Sequence, residues 1–110
     1  MATELPDRIR VAACQWCFDR IDGWDAFASR VARQARIAAD YRADFLLLPE
    51  LVTFELLSAE PTPLPGAAAI AELSARTPQW RALLSQLAAS HGVNIVGGTH
   101  VTRNESGSIR

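Results

Sequence analysis

The chain has 110 residues, 49% of them hydrophobic and 21% charged, with a formal net charge of -1. These values bound it to one soluble globular domain at most, and near-neutral charge argues against nucleic acid or an anionic membrane as the main partner, since both need a concentrated basic footprint. All 11 basic residues are arginine, so mechanisms that need a lysine ammonium are closed to the chain acting alone.

Met1 to Asp7 carries two acids and a proline and lacks the apolar core of a signal peptide. No run approaches the ~20 apolar residues of a membrane span. Two cysteines without a disulfide-scaffold pattern fit a reducing compartment, so cytoplasmic residence is the expectation. Arg8 to Phe18 reads as a first strand, with Ile9, Val11, Ala13 and Gln15 on one face and Arg10, Ala12, Cys14 and Trp16 on the other. Asp19 to Gly23 is turn-forming, and Asp22 is a suitable N-cap. A helix follows over about Gly23 to Tyr41. Trp24, Phe27, Ala28, Val31, Ala35, Ala38 and Ala39 form its apolar stripe, and Ile37 is the misfit on the polar side.

The second strand begins at about Asp44, and Phe45-Leu46-Leu47-Leu48 is unbroken apolar sequence. Such a run predicts a parallel strand covered on both faces. Pro49 ends regular pairing, which leaves Glu50 just past the carboxyl end of the strand, the edge where open α/β sheets gather ligands and catalytic groups. Glu50 is the leading candidate for a general acid or base, since partial burial at such an edge tunes a carboxylate to working pH. The bland alternative is a solvated carboxylate, or one that caps the segment after it. Leu51 to Leu57 reads as a short helix or irregular segment, Glu60 to Gly66 with three prolines as a loop walling the site, and Ala67 to Ala75 as a short helix. Thr77-Pro78 reads as an N-cap followed by proline at the first helical position. Its helix carries Trp80, Leu83, Leu84, Leu87, Ala88 and His91 on one stripe and stops at Gly92. Val93 to Gly97 is the third strand. The strand–helix–strand succession predicts right-handed βαβ crossovers. Gly98 to Arg103 continues extended, Asn104 to Ser108 is a turn, and Ile109-Arg110 begins a returning strand. A domain that stops two residues into a hairpin is expected to be the front portion of a longer protein.

Cys14-Gln15-Trp16-Cys17 has the spacing of a redox or metal pair, but residues three apart on a strand face opposite ways, so buried structural thiols are the better reading. His100 could reach the edge that holds Glu50, as a substrate contact or proton carrier; a packed or solvated imidazole is the plainer alternative. His91 is explained by the helix dipole. Gly97-Gly98 lacks the wider spacing and following helix of a phosphate loop. No Ser/His/Asp set or metal-ligand cluster is recognisable, and the arginines read as solvating helix faces.

The order Arg8-Ile9-Arg10-Val11-Ala12-Ala13-Cys14-Gln15, amphipathic helix, then Ala43-Asp44-Phe45-Leu46-Leu47-Leu48-Pro49-Glu50-Leu51, resembles the opening of the nitrilase (carbon–nitrogen hydrolase) superfamily. His91-Gly92-Val93-Asn94-Ile95-Val96-Gly97-Gly98-Thr99 is similar to its third strand. The resemblance covers nearly the whole chain, but only the first third to half of a family domain. It implies the N-terminal part of a four-layer α-β-β-α sandwich and a glutamate, lysine and cysteine catalytic set acting on a small-molecule amide or nitrile, amidase-like in preference, without a cofactor or metal. Glu50 matches the family glutamate as general base. The lysine and cysteine have no counterpart here, and Cys14 and Cys17 are not candidates for the nucleophile. The 110 residues alone are therefore expected to be inactive and of poor independent stability, and the parent protein could be a homo-oligomer. The rival readings are a non-catalytic α/β module that binds a ligand or protein through its sheet edge, and one half of a split enzyme.

Overall fold

A computed structural model describes residues 6–104 and 106–110. Three short strands, β1 (Val11–Ala13), β2 (Phe45–Leu47) and β3 (Asn94–Val96), form a parallel sheet in the order β1-β2-β3. Val11 pairs with Phe45 and Phe45 with Asn94; Ala13 pairs with Leu47 and Leu47 with Val96. The apolar run therefore occupies the central strand, as its composition requires. Backbone bonds extend the pairing past the strand ends: Cys14 N–H donates to Leu47 O (2.9 Å) and Leu48 N–H to Val96 O (2.9 Å).

Helices α1 (Trp24–Asp40) and α3 (Thr77–His91) pack against each other and against the sheet, and α2 (Gly66–Ala75) precedes α3. The small side chains of Ala35 and Ala38 let α1 lie close over the sheet, and Phe27 and Val31 fill the space above Leu46; all five are buried. Phe27 meets Trp80 of α3 at a centroid distance of 5.6 Å, in the tilted arrangement that aromatic rings favour. A core side chain of this size stabilises by about 1.5–3 kcal/mol relative to exposure. Val52–Ala59 is a 3₁₀ helix, which settles the segment after Glu50.

Several expectations need correction. The first strand is three residues long, because beyond Cys14 the chain leaves the sheet to reach a buried carboxylate described below. Asp22 does not cap α1: the cap is Gly23, without a side-chain bond. Thr77 is likewise inside α3, whose cap is Arg76; the Thr77 hydroxyl is occupied elsewhere. Pro78 does stand in the first turn, and Gly92 ends the helix with φ +62°. The sheet is covered on one face only among the described residues. Ala12, Leu46 and Ile95 face the helices, while Val11 (46% exposed) and Val96 (48%) stand open on the other face with the half-buried Phe45 and Leu47.

At the carboxyl end, Thr102 and Arg110 exchange backbone bonds (2.8 and 2.7 Å), and the Asn104 side chain receives Ser108 N–H (2.8 Å). The expected returning strand thus begins at Ile109, although residue 105 of its turn lies outside the described residues, as do residues 1–5 of the amino-terminal reading. Among the described residues no helix is long and apolar enough to cross a membrane.

Candidate active site

Glu50 lies in the turn directly after the pairing of Leu48 with β3, exposed at the carboxyl edge of the central strand. Three features fix that turn from behind. Leu51 adopts left-handed φ (+57°), and its N–H donates to Thr99 Oγ1 (2.8 Å). Gly98 has φ +67°, and a Cβ there would stand 2.0 Å from Pro49 O, so the two backbone segments touch where only glycine fits. Glu50 does not cap the 3₁₀ helix, whose cap is Leu51 without a side-chain bond. The described ion pairs are Arg30–Glu55 and Arg76–Glu72, so among the described residues Glu50 has no ion-pair partner. The partial burial expected for a tuned base is not supplied by these residues: Glu50 opens on a cleft of about 400 Å³ lined by Phe18, Leu51 and Phe54. The arrangement can hold a free carboxylate at a fixed point beside an apolar surface.

Sequence reasoning missed the residues that build the rest of this edge. Glu55 is 2% exposed, and its Oε2 receives Trp16 Nε1–H (2.8 Å), Asp19 N–H (3.1 Å) and a guanidinium N–H of Arg30. Arg30 also lies over the Trp16 ring (4.4 Å) and donates to Cys17 O (2.8 Å). Ser58, one 3₁₀ turn further, accepts Ile21 N–H (3.0 Å). One buried carboxylate therefore ties the whole connection between β1 and α1 to the segment that follows Glu50, and this is what places Phe18 in the Glu50 cleft. Glu55 Oε1 is buried without a hydrogen-bond partner among the described residues. The signal available in sequence was a lone acid within the apolar Leu51–Leu57 segment.

His100 is half-buried and turned to two threonines. Thr53 Oγ1 lies 2.7 Å from Nδ1, and Thr77 Oγ1 lies 2.9 Å from Nε2 and donates to Thr102 Oγ1 (3.0 Å). With its proton committed to Thr102, Thr77 accepts from Nε2–H, and Nδ1 accepts from Thr53. His100 is thus a neutral brace between the 3₁₀ helix, the start of α3 and the segment after β3. It does not line the Glu50 cleft. Burial lowers its pKa, Arg81 lowers it further, and the nearby Leu73 backbone opposes both. A lowered folded value means the unfolded chain binds more protons near the ordinary value of 6.5, so stability falls as pH drops below that value. Urea denaturation at pH 7.5 and 5.5 should show this loss, and His100→Gln should flatten the dependence; an unchanged pH dependence in the variant counts against the brace.

Cys14 and Cys17 are free, the first half-buried and the second exposed. Burial raises the Cys14 pKa against the opposing pull of Arg30, which keeps the thiol protonated and a poor nucleophile.

A curated protein of Bacillus subtilis (strain 168) described as probable hydrolase YhcX is 30% identical to this chain over 97 residues, which is 88% of the chain and 19% of that protein. The chain thus spans about a fifth of the length of the curated relative it matches. No protein-family model matches the chain, and no solved structure matches it.

Proposed function

We propose that these residues are the N-terminal portion of a carbon–nitrogen hydrolase of the nitrilase type, in which Glu50 serves as the general base. The observation that carries this reading is Glu50 itself: a carboxylate without an ion-pair partner among the described residues, at the carboxyl edge of the central parallel strand, where the Gly98 contact and the Thr99 bond hold its turn. Likeness to a protein described as a probable hydrolase supports the reaction class. The open apolar face of the sheet supports the architecture, because a second sheet laid over Val11, Phe45, Leu47 and Val96 would complete an α-β-β-α sandwich. In this reading Glu50 takes the proton of a cysteine thiol as the sulfur attacks an amide or nitrile carbon, and a lysine stabilises the oxyanion. Both partners come from residues outside these 110, and the free thiols fit a cytoplasmic setting.

The test is ammonia release from amide substrates by the protein at its natural length. Glu50→Gln keeps the side-chain shape and removes the base, so kcat should fall by at least ~10²-fold with the circular dichroism spectrum unchanged. Unchanged turnover would remove Glu50 from the chemistry, and absence of hydrolysis by the unsubstituted protein would remove the hydrolase reading itself.

A further inference from the structure

The Glu50 cleft does not end at its aromatic wall. Phe18 and Phe54 also line a larger cleft of about 760 Å³ whose walls do not include Glu50, continued by Leu57, Pro63 and Leu64. Its volume lies within the ~300–1,000 Å³ of small-molecule sites, and the mixture of apolar walls with a few charged groups is usual for them. Asp19, Arg20 and Glu60 are the charged side chains with solvent access, and the buried Glu55 stands in its wall.

Phe18 is the informative residue. It is 57% exposed, a poor place for a phenyl ring unless something covers it. Yet the segment on both sides of it is fastened: Trp16 through its indole N–H and Asp19 through its backbone N–H to the Glu55 carboxylate, Cys17 O to Arg30, Ile21 N–H to Ser58. An exposed ring on a pinned segment, standing between a carboxylate cleft and an apolar one, is arranged to meet a ligand that passes over it.

We propose that the larger cleft receives the apolar substituent of the substrate whose carbon–nitrogen bond lies at Glu50, so that the preferred substrates are amides of medium-chain aliphatic acids. This rests on the hydrolase reading of Glu50 for the reaction, but the pocket itself stands on the two clefts sharing Phe18 and Phe54. The chain of such an amide crosses the Phe18–Phe54 divide and ends against Leu57, Pro63 and Leu64, leaving Arg20 and Glu60 to water.

The experiment uses the protein at its natural length carrying Glu50→Gln, so that ligand is bound and not consumed, with calorimetric titration of straight-chain primary amides from butanamide to octanamide. Affinity should tighten about threefold to fourfold for each methylene, the increment of burying one such group. Leu64→Asp, which puts charge in the pocket, and Leu64→Trp, which fills it, should each flatten the series. Leu64 is half-buried on a loop, and the circular dichroism spectrum of each variant checks that its fold is kept. A series that is flat without the Leu64 substitution overturns the proposal, as does a slope that survives both variants. Chain-length dependence that responds to Leu64, in a protein that hydrolyses no amide, would refute the hydrolase reading and leave the pocket standing.

Discussion

Glu55→Ala lowers the unfolding free energy by about 3 kcal/mol, the low end of the ~3–5 kcal/mol that follows removal of one partner from a buried ion pair. The low end applies because the Arg30 side chain is 34% exposed and can take on water once its partner is gone. Trp16 Nε1–H and Asp19 N–H lose their acceptor in the same step, and each such orphaned donor costs about 1–3 kcal/mol if it stays dry. Glu55→Gln separates the contributions: the amide oxygen still serves Trp16 and Asp19, while the charge facing Arg30 is lost. Its cost should fall between that of the alanine variant and zero. Urea titration followed by tryptophan emission reads all three proteins. Equal stability of the alanine variant and the parent would mean that Glu55 does not fasten the connection between β1 and α1.

Gly98→Ala should cost about 3 kcal/mol as well, from two sources that a second glycine tells apart. Left-handed backbone costs a residue with a Cβ about 1–2 kcal/mol. Gly92 has the same kind of φ (+62°) with open space around its Cα, so Gly92→Ala measures that part alone. At Gly98 the added carbon also meets Pro49 O at 2.0 Å, and both atoms belong to backbone that cannot swing aside, which adds about 1–3 kcal/mol of overpacking. The relief available is displacement of the Pro49–Leu51 turn, which moves Glu50. In the proposed reaction a shift of about 1 Å costs on the order of 10²-fold in rate. Gly98→Ala should therefore impair amide hydrolysis far more than Gly92→Ala at matched temperature below the transition. Equal effects of the two substitutions on stability and turnover would contradict the close contact.

The parts of the fold written in local pattern were legible. Four apolar residues before Pro49 mark the central strand, the spacing of Phe27, Val31, Ala35 and Ala38 marks the buried face of α1, and Pro78 and Gly92 bracket α3. Glu50 could be placed at the strand edge by the same logic. What local pattern does not encode is a contact between segments distant in sequence. Trp16 leaves the line of β1 for a carboxylate 39 residues away, so alternation alone overran the strand. Thr77 looked like a cap because its hydroxyl precedes a proline, but His100, 23 residues on, holds that hydroxyl. Expecting both faces of the sheet to be covered followed from the composition of Phe45 to Leu48; the described residues supply helices for one face only. The spacing of Gly97-Gly98 excludes a phosphate loop but does not reveal the Pro49 backbone that lies against Gly98.

The parallel register around β2 also dictates the order in which the chain can acquire structure. Asp44, at the amino end of that strand, bonds through its side chain to Arg10 and through its carbonyl to Asn94, partners 34 and 50 positions away. No sheet bond forms until one of these long loops has closed, and closure entropy is lost before any pairing compensates it. Helices α1 and α3, whose bonds are local, can form while the strands are still apart. Refolding should accordingly show early helical ellipticity and a slower phase in which Leu46 amide exchange becomes protected, the interval during which the unpaired Phe45–Leu48 run is most prone to associate with other chains.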